Sequence, residues 1–302
     1  MPAPRSDLTE LTYFLAIARH RNFRRAGLEL GLSASGLSHA LKALETRLGV
    51  RLLNRTNRAV TLTAAGEELQ ATIGRPLEIV GEAVERLNRY RDAPAGRIRL
   101  NVAADAATLL LGPVLPSFLE RYPDIEVDVV ATNQMIDITS EGFDAGIRHG
   151  GTVPEDMIAQ RLSADLCWIV AGSPAYLARA GTPKHPDELQ HHQCIGIRLG
   201  DDRIYRWEFD GPDGEFAVPV SGRITVNESQ AMLAMALEGG GLMYAMEPLL
   251  KAHLENGSLC RVLEAHATSG PGYHLYYSSR RHVPTALRLL MDHIREKRPL
   301  GL

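Results

Sequence analysis

The stretch from Leu32 to Gly49, LSASGLSHALKALETRLG, gathers hydroxyls at its start and leucines towards its end. Ser33, Ser35 and Ser38 propagate a helix poorly, yet the leucines line up only if the whole stretch is helical. Small side chains at a helix start let its backbone approach a partner closely. Hydroxyls there reach base edges or phosphates, and the positive helix end favours phosphate. Ser35, Ser38, His39 and Lys42 are therefore candidate contacts to bases or phosphates, and Ser33 is mainly an N-cap. Arg55 and Arg58, at the tip of the following alternating stretch, are placed to meet the backbone or minor groove of a duplex. Arg24, with Arg25, reads equally well as a phosphate contact or as part of a solvated face.

Charge supports the same direction. Residues 1–65 carry ten Lys/Arg against four Asp/Glu, a net +6, while the whole 302-residue chain is −3, which leaves −9 for the remainder. A small basic head on a larger acidic body implies polyanion binding by the head and another task for the body.

The head must position its serines through helices. Leu8, Leu11, Phe14, Leu15 and Ala18 have helical spacing. Asn22 can cap FRRAGLEL, Gly31 stops it, and a third helix runs from about Ala34 to Leu48 with Gly49 at its end. With Phe23 as position one, Gly27 is fifth, where two helices cross. Gly31 is ninth, in a left-handed turn, and Leu37 is fifteenth, an anchor. Ala26, Leu30 and Leu32 fill the other inward sites of this helix-turn-helix, and Leu37, Leu41, Leu44 and Leu48 hold its second helix. VRLLNRTNRAVTLT then reads as a short β-hairpin with its turn at Asn54–Asn57. Leu69, Ile73, Leu77, Val80, Val84 and Leu87 form a narrow helical seam that asks for a partner helix, with Gly74 and Pro76 expected to bend or break it.

RDAPAG (91–96) reads as a linker, after which strands and helices alternate, the pattern of a largely parallel α/β sheet. Strands are expected in RIRLNVA, IEVDVVA, FDAGIRHG and LCWIVAG. Helices are expected in ATLLLGPVLPSFLERYP, MIDITSEG and PAYLARAG, and a helix–turn–strand–helix from Ser229 to Gly257. Ligands in such sheets bind at strand ends and helix starts. That rule selects Asp105, Thr132, Asn133, Arg148 and His149 (where the first lobe should cross to the second), Arg198, Asn227, Glu228 and Tyr244. Asp105, Thr132 and Ser229 could instead cap helices, and Arg148 could pair internally with Asp144 or Glu228.

Cys167, Cys194 and Cys260 have no metal-ligand spacing; Cys194, in a polar stretch, is the one candidate redox sensor. No nucleotide, nucleophile-elbow or zinc-protease motif is present, His191–His192 lacks the spacing of a two-histidine metal site, and no cofactor is expected. The start MPAPRSDLTELTYF has no secretory character, so a cytoplasmic protein is expected, distinct from a free-standing solute-binding protein.

FRRAG, LSASGLSHALKALETRLG and LLNRTNRAVTLTAAG closely resemble the first module of LysR-type transcriptional regulators, departing at Gly27 and Leu53, where alanine and phenylalanine are usual. LGPVLPSFLERYPDIEVDV, EGFDAGIRHG, WEF and NESQAMLAMALEGGGLMYAMEPLL resemble the same family's effector domain, in particular the subgroup with G-F-D-x-x-I-R-x-G. The resemblance implies an α/β chain with an N-terminal winged helix-turn-helix (1–65), a linker and dimerisation helix (66–91) and a C-terminal, bilobed, periplasmic-binding-protein-like domain (92–302). It implies a non-enzymatic regulator of promoter DNA that takes a small-molecule effector and forms a homodimer through residues 66–90 and a homotetramer. Asp105 falls where the family often has a small or hydroxyl residue near the effector's acid group. A carboxylate there repels an anionic effector unless Arg148 or Arg198 compensates, so the effector is expected to be neutral, amphoteric or cationic in that region.

Overall fold

A computed structural model describes residues 5–55, 60–87, 93–200, 202–212, 214–278 and 283–302. It contains two compact units, a head of residues 1–91 together with 139–142 and a body of residues 92–138 and 143–302. No helix among the described residues is long and apolar enough to cross a membrane.

The head begins with α1 (Arg5–His20), α2 (Phe23–Leu30) and α3 (Ala34–Leu48). Phe14, Ile17, Ala26, Leu37, Leu41, Leu44, Leu52 and Leu53 form its core. Asn22 caps α2 by accepting from the Arg24 and Arg25 amides at 2.9 and 3.1 Å. Gly31 (φ 67°) and Gly49 (φ 72°) end α2 and α3 in the left-handed region that disfavours a Cβ. A Cβ on Gly27 would stand 2.4 Å from the Leu32 carbonyl oxygen, so the turn itself demands the small residue. Two expected inward residues do not point in: Leu32 is 39% and Leu48 46% exposed. Leu32 belongs to the turn, and Leu48 is the last residue of α3.

Strands β1 (Leu53–Arg55) and β2 (Val60–Leu62) pair antiparallel, Leu53 with Leu62 and Arg55 with Val60. The expected turn at Asn54–Asn57 is thus displaced: Asn54 and Arg55 are paired strand residues, and the connection lies outside the described residues. Thr63 leads into α4 (Ala64–Arg86). Its hydroxyl donates to the Arg51 carbonyl at 2.7 Å and accepts from the Gly66 amide at 3.1 Å. Gly74 and Pro76 do not break α4, which is continuous over 23 residues. Leu69 and Ile73 pack on the head core. Val80 and Val84 are 56% and 64% exposed.

In the body, β3 (Gly96–Val102), α5 (Ala104–Ala106), a π-type turn (Ala107–Leu111), α6 (Leu115–Arg121), β4 (Ile125–Ala131), β5 (Ala145–His149) and β6 (Met157–Arg161) come first. The expected long helix after β3 is therefore interrupted. The Gly112 amide bonds five residues back to Ala107 (2.9 Å), and Pro113 and Pro116 cannot donate to a continuous ladder. The expected helix MIDITSEG is not one; it forms turns, in keeping with its β-branched Ile136, Ile138 and Thr139. Next come β7 (Leu166–Gly172), α7 (Pro174–Ala180), a 3-10 turn (Pro186–His191), β8 (Gly196–Ile197), the hairpin β9 (Trp207–Gly211) and β10 (Gly214–Val218), and β11 (Thr225–Val226). The chain closes with α8 (Ser229–Leu237), β12 (Met243–Met246), α9 (Glu247–Glu255), β13 (Cys260–Val262), β14 (Thr268–Gly270), β15 (Tyr273–Ser278) and α10 (Thr285–Lys297).

The first sheet has the order β4-β3-β5-β15-β6, and a second gathers β12, β13 and β14 around β7. The first sheet is mixed and the second antiparallel, so neither is largely parallel. β3 runs parallel to β4 and β5, but β15 is antiparallel to β5 and β6, and β7 is antiparallel to every partner. β15 enters this sheet directly from β14 of the second sheet, through Pro271 and Gly272. The passage to the second sheet also comes later than expected. It follows β6, at residues 162–165, not Arg148–His149.

Candidate functional site

Two places gather the candidate residues. The first is the outer face of α3. Ser33 accepts from the Gly36 amide at 3.1 Å and lies 3.0 Å from the Ser35 hydroxyl, so the helix start is capped by its own serines. Ser35, His39 and Lys42 are exposed and Ser38 is half-buried. These positions are spaced three and four apart and share one face, opposite buried Leu37, Leu41 and Leu44. Arg24 is exposed on α2. Arg55 is placed only as a strand residue, and Arg58 lies outside the described residues. The Glu45 carboxylate, unremarked in the sequence beyond a family motif, accepts from the Leu52 and Leu53 amides at 2.8 and 3.1 Å and fastens α3 to the hairpin. Between them runs an open groove of about 550 Å³ lined by Lys42, Glu45, Thr46, Gly49, Val50, Arg51 and Leu53. Arg51 is a second cation there that the sequence did not single out. A basic groove beside a small polar helix face is chemically fitted to a phosphate backbone next to base edges.

The second place lies where the ends of β3, β4 and β5 approach the start of α8. Asn133 bridges it: its carbonyl accepts from the Ala104 amide (3.2 Å) and its amide donates to the Asn227 carbonyl (2.9 Å). Asp105 is 8% exposed and accepts from the Ser229 hydroxyl at 3.1 Å. Burial raises its pKa to about 6, against the lowering by Ser229, and the nearby Glu228 raises it further. Asp105 caps no helix, and neither does Ser229. Glu228 is the N-cap of α8, accepting from the Gln230 and Ala231 amides at 3.0 and 2.8 Å. Thr132 closes a local turn by accepting from the Gln134 amide at 3.2 Å.

Arg148 is 4% exposed and makes no ion pair with Asp144 or Glu228. It donates to the Asn101 side-chain carbonyl, to the Asn101 and Ile147 backbone carbonyls at 3.3 and 2.9 Å, and to Gln134 at 3.1 Å. Burial lowers its pKa. Asp144 instead accepts from the Arg99 amide at 2.8 Å. His149 lies against Tyr273 (ring centroids 4.5 Å apart) and Trp168 (5.6 Å). Burial lowers its pKa to about 4; a hydrogen bond to Pro271 opposes this and neighbouring Arg148 reinforces it. Tyr244 stacks on Trp168 and Trp207 at 5.5 and 5.6 Å and spends its hydroxyl on the Glu208 carbonyl (2.9 Å). Arg198 is exposed and donates to the Asp202 carbonyl at 2.9 Å. The structure therefore brings Asp105, Asn133, Asn227 and Glu228 together, puts His149 against the aromatic group that includes Tyr244, and leaves Arg198 tied to its own loop. Trp168 and Tyr273 were missed because an aromatic inside an apolar strand looks like core.

Cys194 does not suit a redox sensor. It is buried, and burial pushes its thiol up to about 12, which suppresses the reactive thiolate.

Residues 8–67 match the family model described as bacterial regulatory helix-turn-helix protein, lysR family, and residues 91–299 match LysR substrate binding domain. The chain is 36% identical over 291 residues to the HTH-type transcriptional regulator YcaN of Escherichia coli K12, covering 96% of this chain and 95% of that protein. It is 38% identical over 296 residues to a transcriptional regulator of Pseudomonas aeruginosa, covering 98% and 97%. The full-length structure of the Vibrio cholerae virulence activator AphB, of the LTTR family, superposes with a TM-score of 0.67 at 25% identity, covering 96% and 99% of the two chains.

Proposed function

The chain belongs to the LysR family of bacterial transcriptional regulators, which bind DNA and respond to small-molecule effectors, and on that premise we propose how its own residues divide the work. The outer face of α3 reads promoter DNA. Ser35, Ser38 and His39 meet base edges, Lys42 and Ser33 the adjoining phosphates, and Arg55, Arg58 and Arg24 the flanking backbone. The observation that carries this is the segregation on α3 of exposed polar residues from buried leucines, inside a head of net +6. Residues 1–65 are the DNA-binding domain, 66–91 the dimerisation linker and 92–302 the effector domain, in the subgroup with G-F-D-x-x-I-R-x-G. Phe143 under the Arg99 guanidinium (4.8 Å), Asp144 on the Arg99 amide and buried Arg148 give that motif a structural basis.

The effector sits at Asp105, Thr132, Asn133, Asn227 and Glu228 against His149. The protein acts in the cytoplasm as a regulator without enzymatic activity. Exposed Ile79, Val80, Val84 and Leu87 on or next to α4 support a helix-to-helix homodimer, and two dimers a tetramer. A dimer sets two recognition helices about one DNA turn apart. Effector binding then shifts their spacing, a coupling of about 1–3 kcal/mol.

The test is binding of full-length protein to the DNA upstream of its own gene, followed by anisotropy at several salt concentrations. Affinity falls steeply with salt, and replacing Ser35, His39 and Lys42 together by alanine removes the sequence preference. Salt-insensitive binding, or an unchanged preference in the triple variant, overturns the reading.

A further inference from the structure

Asp105 is a buried carboxylate without a counter-ion. One oxygen accepts from Ser229; the other, Oδ1, is shielded from solvent and has no partner among the described residues. Among the described residues, the charged side chain that acts on it is Glu228, of the same sign. Arg148 does not supply the missing charge. It lies on β5 facing Asn101 and Gln134, and its field reaches His149 and Tyr276. A carboxylate held this way opposes folding unless something else requires it. Structural need does not: Asp105 caps no helix, and an amide would accept from Ser229 equally well.

The surroundings identify what would complete it. An anionic group would meet Asp105 and Glu228 together and be repelled. A metal ion would need more ligands, and no cluster of three candidate ligands occurs among the described residues. Tyr273 lies within the electrostatic reach of Asp105. From Tyr273 the rings of His149, Trp168 and Tyr244 follow one another at 4.5, 5.6 and 5.5 Å. Aromatic faces attract cations and cover apolar carbon. His149 is uncharged at neutral pH, so it does not repel a cation. Its Nδ1 is buried and has no hydrogen-bond partner among the described residues, so in the neutral ring it can serve as an acceptor for a second N–H.

We propose that the effector is a small organic cation, an ammonium on an apolar or aromatic body, with Asp105 as its counter-ion, His149 Nδ1 as a second acceptor and Trp168 beside the body. This rests on the effector-site reading above and names the ligand class that site takes. Occupancy would supply the opposite charge that Asp105 lacks, so ligand binding and tightening of the α5–α8 contact between Asp105 and Ser229 are one event. Such a contact is the kind of differential interaction by which a ligand biases one arrangement of a protein over another.

The test uses full-length wild-type protein and Asp105→Asn, with folding checked by circular dichroism. Titration calorimetry and tryptophan fluorescence follow two matched probe sets: butylamine, 1,4-diaminobutane and phenethylamine against butyrate, succinate and 3-phenylpropanoate. At least one ammonium probe is expected to saturate the wild type and to bind Asp105→Asn at least tenfold more weakly, while the carboxylates do not bind. Unliganded Asp105→Asn is expected to melt no lower than wild type at pH 8, since it removes an unpaired buried charge. A lower melting temperature makes Asp105 a structural residue and overturns the proposal. If a carboxylate probe saturates the wild type and binds Asp105→Asn more tightly, the cationic class falls and the effector site stands. If no probe from either set binds, both fall.

Discussion

On α3, the side chains proposed to meet DNA stand exposed, with Ser38 half-buried, on a helix whose opposite face, Leu37, Leu41 and Leu44, is buried in the head core. At the strand ends of the body, Asp105 and Arg148 are themselves buried, and Asn133 and Glu228 already serve local structure as a bridge and a helix cap. The proposed division separates holding from reading residue by residue in the head, whereas in the body Asn133 and Glu228 combine both tasks and Asp105 is the exception, a buried group without a structural duty. Recognition and stability should therefore come apart under mutation in the head, and in the body should stay coupled at Asn133 and Glu228 while separating at Asp105.

The largest effect should come from cutting the holding side of the head. Leu41→Ala deletes a fully buried side chain from a cluster confined to residues 11–73. We expect a loss of about 2–5 kcal/mol, enough to melt the head. Calorimetry should show the low-temperature transition displaced and the body's transition unmoved. A matching shift of the body would deny that the head core is independent.

In the body, the coupling should be visible as pH dependence. His149 titrates near 4 when folded and near 6.5 when unfolded, because burial disfavours its charged form. A base with a depressed folded pKa stabilises above its unfolded value and loses that contribution as pH falls from about 6.5 through about 4. The full span corresponds to about 3 kcal/mol. Asp105 has the opposite sign: raised to about 6, it favours the folded state most below about 4 and loses this as pH rises through 6. His149→Phe should remove the first slope and leave the second, read as urea midpoints at pH 7 and pH 4.5. An unchanged slope would mean that His149 is not held neutral by its surroundings.

The same contrast explains what was legible beforehand. Asn22, Ser33, Gly31 and Gly49 act within a turn or two of chain, so cap and turn rules locate them correctly. So does Gly27, whose crowding comes from Leu32 five residues on. Glu45 was not legible, since its value lies in two amides of the hairpin it clasps. In the body, the direction of β15 depends on where the chain returns from, and local pattern cannot show that. The strand-end rule picked out Asp105 and Asn133, which the structure brings together with Asn227, Glu228 and Ser229. It could not show that Arg148 would bond to Asn101 rather than to a carboxylate. Nor could it show that His149 would join Trp168 and Tyr273 from other strands. Trp168, Tyr205, Tyr244 and Trp207 became a stacked group only once β7, β9 and β12 were assembled.

A smaller effect tests the phosphate side of the head. Lys42 is exposed on α3 and lines the groove with Arg51. Lys42→Ala should weaken DNA binding nearly uniformly across sequences and lower the slope of log affinity against log salt by about 1. A change of sequence preference without a change of slope would move Lys42 from backbone to base contact.

The smallest effect on folding is the sharpest test. His39 is exposed on α3, one turn after the serine cap, and joins no core cluster. His39→Ala should alter stability by no more than about 0.5 kcal/mol, because alanine propagates a helix at least as well and no buried surface is lost. Its effect should instead appear as lost discrimination at one base-pair position of each half-site, of about 1–3 kcal/mol. Urea unfolding checks the first and competition between single-base operator variants the second. If stability falls with discrimination, then reading and holding are merged in the head as they are proposed to be at Asn133 and Glu228 in the body. The poor helix propensity of its serines would then reflect packing and not access to DNA.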